Sequence, residues 1–407
     1  MAVVIAAVGV AVLLLAFPSG RRAAPPPTVS ARAFANSVGV NVHLGYAGTS
    51  YDDVGRIVSL IQALGVRHVR DTVPRPQSTT VQAGLARLHD IGVTADVIAG
   101  GPGGDVATTL AALGLGVDGL EGLNELDQSG LPGWRNVDRA AWATLRSARA
   151  AVPRLRSAAL VEPSFVRPSS RTLVFGPAPS GGIRNIHPYP NGAPPEKALA
   201  RPLDRFGVDP QREAVWATES GYHDALGAGH VFEPVLPQVA ARYDVRLLLE
   251  YFRRGIRRTY LYELLDERPD PAGTSPEQHY GLVAADGAPK PAFRAVAELL
   301  RIVRSRGSGL TAHVQVEAPG AVHAMALWRR TGSLVLALWP TDSVWDTRLR
   351  RGVVPPRRVA TVTFDHEIAN VQAYDPARGT QPVMAWRSAR RIAVPLRGDA
   401  VLLTARS

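Results

Sequence analysis

The chain has 407 residues, of which 46% are hydrophobic and 20% are charged. This composition supports a large buried core, and the length suits a barrel of about 250 residues or more followed by a smaller domain. Cysteine is absent, which excludes disulfides, thiolate metal sites and a cysteine nucleophile.

The formal net charge is +11, and arginine carries nearly all of the positive charge, because Lys197 and Lys290 are the only lysines. Such a basic exterior is either a generic surface or a means of attracting anionic partners, such as a lipid surface, an acidic wall polymer or nucleic acid. The arginines are scattered, and no basic stripe is interleaved with aromatic residues. We therefore expect no nucleic-acid partner.

The N-terminus begins with a continuous apolar run over residues 1–17, and prolines follow at positions 25–27. The run is long for the core of a signal peptide and short for a membrane span. It predicts a signal peptide or membrane anchor over residues 1–20 and a Pro-rich tether over 21–36. The rest of the chain is then expected outside the cytoplasm, secreted or anchored at the envelope, although Arg21 and Arg22 favour the opposite orientation.

From residue 37 onward, short apolar runs that end in polar residues alternate with amphipathic helical stretches. Such alternation indicates parallel βα units, and eight units close a barrel more naturally than an open sheet. A doubly wound sheet would carry a glycine-rich turn after its first strand, where this chain has His43-Leu44-Gly45-Tyr46. The pattern predicts a (β/α)8 TIM barrel over residues 37–306, with strands at 38–43, 66–71, 93–98, 117–123, 157–161, 183–186, 214–218 and 258–263.

After residue 307 the helical period disappears and short strands recur with turn residues between them. This pattern predicts a C-terminal antiparallel β-sandwich domain over residues 307–407. The segment has no obvious aromatic triplet for binding a polymer, so we expect it to pack against the barrel.

Barrel enzymes carry their reacting groups at the carboxyl ends of the strands. Two of the carboxylates there, Glu125 and Glu219, follow the fourth and seventh strands, which allows them to face each other across the barrel mouth. One carboxyl group can donate a proton to a glycosidic oxygen while the other attacks the anomeric carbon, at a separation of about 5–5.5 Å. His43, His187 and Glu219 could converge on a metal, but no HxH or HExxH spacing supports this. We expect no metal and no cofactor.

Several motifs resemble those of glycoside hydrolase clan A, which includes families 5 and 39. Residues 121–125 (EGLNE) resemble the Asn-Glu motif of its fourth strand, and residues 218–222 (TESGY) resemble the nucleophile motif of its seventh strand. Residues 187–189 (HPY) resemble its sixth-strand segment, and residues 279–293 resemble its closing segment before the last helix.

The resemblance implies a retaining glycosidase that acts on an oligo- or polysaccharide, with Glu125 as acid/base and Glu219 as nucleophile. It further implies that Asn124 binds the sugar 2-hydroxyl, that Arg70 keeps the nucleophile ionised, and that His187 or Tyr189 contacts it. The eighth strand ends in Tyr262-Glu263 where many members have tryptophan, so Tyr262 is the expected sugar platform.

Other strand-end and loop residues are weaker candidates for sugar contact, namely Asn41, His43, Tyr222 and Trp134. Two rival hypotheses remain open. One is a non-catalytic glycan-binding protein on the same barrel, and the other is an envelope-associated scaffold that acts through its basic exterior.

Overall fold

The computed structural model describes residues 24–73, 78–99, 106–113, 116–176, 179–230, 232–305 and 309–405. The apolar run predicted as a signal peptide or anchor, residues 1–20, lies outside these residues. Among the helices of the described part, none combines the length and apolar character needed to span a membrane.

The first described elements are a short strand, β1 (Thr28–Ser30), and a helix, α1 (Ala31–Asn36). The strands that follow form the barrel: β2 (Val38–Asn41), β3 (His68–Thr72), β4 (Thr94–Ile98), β5 (Val117–Glu121), β6 (Ala159–Val161), β7 (Arg184–Ile186), β8 (Val215–Ser220) and β9 (Arg258–Leu261). Each strand pairs in parallel with its neighbours, and a bridge between Val161 and Ile183 closes the ring. The eight predicted strands are thus confirmed.

Helices surround the ring: α2 (Val54–Leu64), α3 (Thr79–Asp90), α4 (Val106–Ala112), α5 (Trp134–Ala151), α6 (Ser170–Phe175), α7 (Pro195–Ala198), α8 (Ala200–Phe206), α9 (Pro237–Arg253) and α10 (Pro291–Arg304). Helix α2 shows how the sequence fixes one of them. The Asp53 side chain accepts a hydrogen bond from the Arg56 amide at the start, and Gly65 ends the helix in the left-handed conformation. Ile57 and Ile61, one turn apart, are buried on its inner face.

Helix α9 is the longest element that the sequence pattern does not predict. It lies between the barrel and the C-terminal domain, so it is buried on most sides, including Asp244, Arg246 and Glu250. A helix covered on both sides lacks the exposed polar stripe that identifies an amphipathic helix. Arg246 joins the two domains, since it donates to the carbonyl oxygens of Asp342 and Gly398, each at 3.0 Å.

The C-terminal domain contains β10 (Val314–Glu317), β11 (Val322–Trp328), β12 (Leu334–Pro340), β13 (Trp345–Asp346), β14 (Arg351–Gly352), β15 (Arg358–Tyr374), β16 (Pro382–Leu396) and β17 (Val401–Ala405). Apart from the small β13–β14 pair, these strands and β1 form a seven-stranded sheet. A register shift within the long β15–β16 pair separates the part of β15 that pairs with β10 from the part that pairs with β17. The domain also has a hydrophobic core of its own, which includes Leu336, Val362, Phe364 and Leu403.

This domain packs against the barrel, as expected. Trp339 and Trp345 belong to the same buried cluster as the barrel residues, and the Trp345 indole donates to the Pro234 carbonyl at 3.0 Å. Two details differ from the prediction. Residues 358–374, in the region where short strands were expected, form one long strand, β15, and the sheet is mixed because β1 joins it in parallel.

Of the segment predicted as a tether, residues 21–36, the structure describes residues 24–36, and these pack against the rest of the protein. Residues 28–30 pair with β11, and the next residues form α1, whose Phe34 is fully buried. The tether prediction is therefore wrong for residues 28–36. The prolines dominate the local pattern, but apolar burial of Ala31, Phe34 and Ala35 stabilises the helix against the barrel.

Asp244 on α9 should make stability fall as pH rises. Burial raises the pKa of its carboxyl to about 8, against about 3.9 in an unfolded chain. The folded state therefore binds this proton more tightly, and the group removes up to about 1.4 kcal/mol of stability per pH unit between pH 4 and 8. We expect Asp244→Asn to weaken the pH dependence of urea unfolding midpoints measured at pH 5 and 8. The exposed Asp204→Asn is the control, and an equal pH response in all three proteins would contradict the prediction.

Candidate active site

Glu219 lies near the carboxyl end of β8, where two donors hold its carboxylate. Arg70 Nη1 donates to Oε1 at 2.7 Å, and the Tyr189 hydroxyl donates to Oε2 at 2.9 Å. Burial alone would raise the pKa of Glu219. The charges of His187 and Arg70, with hydrogen bonds from Arg70 and Tyr189, outweigh burial and lower the pKa to about 2. Glu219 is consequently a fixed and ionised carboxylate.

Arg70 on β3 is the buried centre of the site. Its guanidinium binds Glu121 in a bidentate geometry, with Nε to Oε2 at 2.7 Å and Nη2 to Oε1 at 2.6 Å. The same group also donates to Glu219, to Asn41 Oδ1 at 2.9 Å and to Asn124 Oδ1 at 2.8 Å. A planar group with five fixed donors can hold all four side chains at once.

Asn124 and Asn41 both accept a hydrogen bond from Arg70, but only Asn124 keeps a side-chain amide nitrogen without a partner among the described residues. The Asn124 side-chain oxygen accepts from Arg70 and from the Ser164 hydroxyl at 2.9 Å, while its amide nitrogen has no partner among the described residues. That nitrogen is available to a ligand in the cleft. The Asn41 amide nitrogen donates to the carbonyl oxygens of Thr218 and Leu261, so the side chain is fully engaged in positioning Arg70.

Glu125 adopts a left-handed backbone conformation, with φ 46° and ψ 36°. This conformation costs energy for a residue other than glycine, and such strain is often found at functional sites. The Glu125 amide is held by the carbonyl and hydroxyl oxygens of Ser164, at 3.2 and 3.1 Å. The turn directs the carboxyl group into the cleft, where His187 and Gln128 contact it at 2.7 and 2.5 Å.

The two glutamates lie close together. One carboxylate oxygen of Glu125, one of Glu219 and a ring nitrogen of His187 all lie within 4.8 Å of one another. The spacing fits the separation of about 5–5.5 Å in retaining glycosidases and is shorter than the 6.5–9.5 Å needed to admit a water in inverting ones. The same three groups could also hold a metal ion. His43, which the sequence offered as a further metal ligand, is not among them and lies beside Glu263 and Glu267.

His187 connects the two glutamates, and its hydrogen bonds define its tautomer. The Asn185 amide nitrogen donates to Glu121 and to a backbone carbonyl, so its oxygen accepts from the Thr218 hydroxyl at 2.7 Å. Thr218 must then accept from His187 Nε2–H at 3.0 Å. Nδ1 is left to share one proton with Glu125. Burial by itself lowers the pKa of His187. The charge of Glu219 and the hydrogen bond with Glu125 raise that pKa by a larger amount, so the net shift is upward.

A cleft of about 790 Å³ opens above the glutamates. Six of the predicted site residues line it, namely Asn124, Glu125, His187, Tyr189, Glu219 and Tyr262. Tyr262 packs edge-on against Tyr189 and Tyr280, which places an aromatic surface at the position where many clan members have tryptophan.

Four predicted site residues do not line the cleft: Arg70, Asn41, His43 and Tyr222. Arg70 and Asn41 lie beneath it and act on other side chains. His43 pairs with Glu263 at 3.1 Å and stacks on Tyr46. The Tyr222 hydroxyl donates to the Ala193 carbonyl at 2.8 Å. The predicted sugar contact by Tyr222 is therefore replaced by a buried bond that anchors the loop after β7.

The tryptophan expected in the cleft, Trp134, does not line it. Trp134 instead packs against Phe165, with ring centroids 6.4 Å apart, and Phe165 lines the cleft in its place. Residues that the sequence analysis missed include Glu121, Gln128 and the cleft cations Lys197, Arg201 and Arg205. The cations recur every four residues, a spacing that would have indicated one helical face.

No protein-family model matches this chain, and no curated protein sequence matches it significantly. Solved structures do match. A family 39 glycoside hydrolase from Bacteroides cellulosilyticus WH2 aligns with a TM-score of 0.61 at 15% identity, covering 92% of this chain and 82% of that one. The family 39 enzyme from Xanthomonas axonopodis pv. citri aligns at 0.57 and 14%, covering 94% and 98%.

A family 30 endoxylanase from Clostridium papyrosolvens C71 aligns with a TM-score of 0.55 at 9% identity, covering 91% of this chain and 96% of that one. At such identities the likeness establishes the fold. The chain has the fold of clan A glycoside hydrolases, a barrel with a C-terminal sheet domain. The resemblance predicted from the motifs is confirmed at that level.

Proposed function

We propose that this protein is a retaining glycoside hydrolase that cleaves O-glycosidic bonds of an oligo- or polysaccharide. The observation that carries the proposal is the carboxylate pair, within 4.8 Å across an open cleft, with one member ionised by Arg70. Paired carboxyl groups at this distance support double displacement through a covalent glycosyl-enzyme.

In the first step Glu219 attacks the anomeric carbon while Glu125 protonates the departing glycosidic oxygen. Arg70 and Tyr189 hold both Glu219 oxygens, so the attacking carboxylate needs no reorientation. The proton comes from the hydrogen bond that Glu125 shares with His187. The free Asn124 amide is placed to donate to the sugar 2-hydroxyl.

In the second step Glu125 acts as a base. It removes a proton from water, and the resulting hydroxide attacks the anomeric carbon and releases Glu219. Two displacements at one carbon restore its original configuration. The product is therefore expected to retain the anomeric configuration of the substrate.

Tyr189 stabilises the ionised nucleophile. Tyr189→Phe removes one of its two hydrogen bonds, and a hydrogen bond to a charged group contributes about 1.5–3 kcal/mol. We expect kcat/KM to fall roughly 10–100-fold, and the acid limb of its pH profile to move upward as the pKa of Glu219 rises from about 2. Tyr374→Phe, in the sheet domain, is the matched control. An unchanged acid limb in Tyr189→Phe would contradict the assigned role.

The proposal is tested with protein from residue 24 onward on a panel of bacterial and plant polysaccharides. Reducing-sugar release identifies the substrate class, and proton NMR of the first-formed product identifies its anomer. Release with retention supports the proposal, and release with inversion excludes the covalent route. Glycan binding with no release on any polymer would favour the non-catalytic binding protein instead.

We also propose that the enzyme acts outside the cytoplasm, tethered or secreted through the apolar run at residues 1–17. The continuous apolar character of that run supports this proposal. Fractionation of cells that produce the full chain provides the test. Recovery of all the protein from the soluble cytoplasm would contradict it.

A further inference from the structure

One wall of the cleft carries three cations. Helices α7 and α8 follow the loop after β7, and Lys197, Arg201 and Arg205 on them all line the cleft. Leu199, between the two helices, keeps a helical backbone with φ −65° and ψ −34°, so residues four apart remain neighbours on one face and eight residues span about 12 Å. The row is therefore longer than a contact with a single functional group requires.

The carboxylates around this row do not neutralise it. Lys197, Arg201 and Arg205 make no ion pair within the part of the chain that the structure describes. Glu196, beside Lys197, points inward and binds Arg246 at 2.6 and 2.8 Å. Asp342 is close enough to feel the charge of Lys197, but Arg358 holds it in a bidentate pair at 2.9 and 3.0 Å.

Asp204, on α8, is the remaining carboxylate of this segment. It is exposed, does not line the cleft and forms no ion pair with the described residues. Phe206, the neighbour of Arg205, does line the cleft, and the Arg205 guanidinium lies 5.7 Å from the centre of its ring. The wall thus presents cationic groups beside an apolar surface, a combination that suits a sugar with a charged substituent.

The cleft is electrically asymmetric. Glu125, Glu219 and Glu277 line it around the reaction centre, and the three cations line the α7–α8 wall. An anionic group would be repelled beside the glutamates and attracted at the wall. A charged sugar is therefore expected at the wall and not in the place of the reacting sugar.

We propose that Lys197, Arg201 and Arg205 form a subsite for anionic substituents of the glycan, carried by a sugar residue adjacent to the cleavage point. The inference rests on the proposed function, because it takes this cleft as the glycan site. Uronate carboxylates, sulfate esters and phosphate esters share the required chemistry. Arginine forks favour the bidentate contact that a planar carboxylate offers.

The test measures binding without turnover, in a Glu125→Gln background, by titration calorimetry. The probes are oligouronates, the same oligosaccharides with their carboxyl groups reduced to alcohols, and a sulfated neutral oligosaccharide. We expect the anionic forms to bind roughly tenfold or more tightly than the reduced form at low salt, with the preference shrinking as salt screens the charges. Comparison of the uronate and sulfate arms identifies the source of the anion.

The triple variant Lys197→Gln/Arg201→Gln/Arg205→Gln should lose the preference, so that anionic and reduced forms bind alike. Its matched control is Arg387→Gln/Arg390→Gln/Arg397→Gln, which removes three exposed charges from the sheet domain. Loss of the preference in the control as well would assign it to diffuse charge and overturn the subsite. The subsite would also be overturned if the cleft variant kept the preference for anionic forms, or if the parent protein showed no such preference.

Failure of the subsite and failure of the proposed function give different results. Hydrolysis of neutral glycans with no preference for anionic ones overturns the subsite alone. Neither cleavage nor binding of any oligosaccharide, neutral or anionic, overturns both.

Discussion

Glu219→Gln should reduce kcat/KM by roughly four orders of magnitude or more, because it removes the group that forms the covalent intermediate. The amide keeps the shape of the side chain. Its oxygen can still accept from Arg70, and its NH2 group can donate to the Tyr189 hydroxyl, so the fold should survive. Activity is measured on the best substrate from the polysaccharide panel and on aryl glycosides of the same sugar. Glu367→Gln, on the exposed surface of the sheet domain, is the control.

Glu125→Gln should give a different pattern. General acid catalysis contributes about 10²–10⁴-fold, and aryl glycosides with acidic phenols need little protonation of the leaving group. We therefore expect a large loss on the polysaccharide and a much smaller loss in the first step on such aryl glycosides. Equal losses of both variants on both substrates would show that the roles of the two glutamates are not divided as proposed.

The second large effect concerns Arg70. Arg70→Met leaves Glu121 and Glu219 buried without their cation, and breaking a buried ion pair in this way costs about 3–5 kcal/mol. We expect that loss in the free energy of urea unfolding at neutral pH. Activity should also fall, because the pKa of Glu219 is no longer held down by the guanidinium.

A double variant separates the two effects. Arg70→Met/Glu121→Gln removes the buried charge of Glu121 along with that of Arg70, so only Glu219 is left without its cation. Part of the stability should therefore return, while activity remains low. If the double variant recovered activity together with stability, Arg70 would be a structural residue only. If Arg70→Met were as stable as the parent, the ion pairs of Arg70 with Glu121 and Glu219 would not stabilise the fold as we expect.

Much of the site could be predicted because parallel barrels are regular. Each strand ends at the same face, so Asn124, Glu125 and Glu219 could be placed together from strand order alone. The direction of side chains around the ring could not be predicted in the same way. Strands buried on both faces read as near-continuous apolar runs, and their pattern does not distinguish the inside of the barrel from the outside.

For that reason Asn41 and Glu121 were not recognised as partners of Arg70. Asn41 lies on β2 and Glu121 on β5. Only the closure of the strands into a barrel brings the two side chains to the guanidinium of Arg70 on β3. The same limit applies to Tyr222, whose place behind the β7 loop depends on how that loop folds over the barrel.

The sequence by itself determined the alternation of strands and helices, the change to a β domain after residue 307 and the two glutamates at the strand ends. These features are local, since they depend on hydrophobic periodicity and on which residue follows a strand. Tertiary structure alone decided the burial of helix α9, the packing of segment 28–36 and the position of the cationic row at the cleft. Each of these depends on surfaces from distant parts of the chain, which no local pattern records.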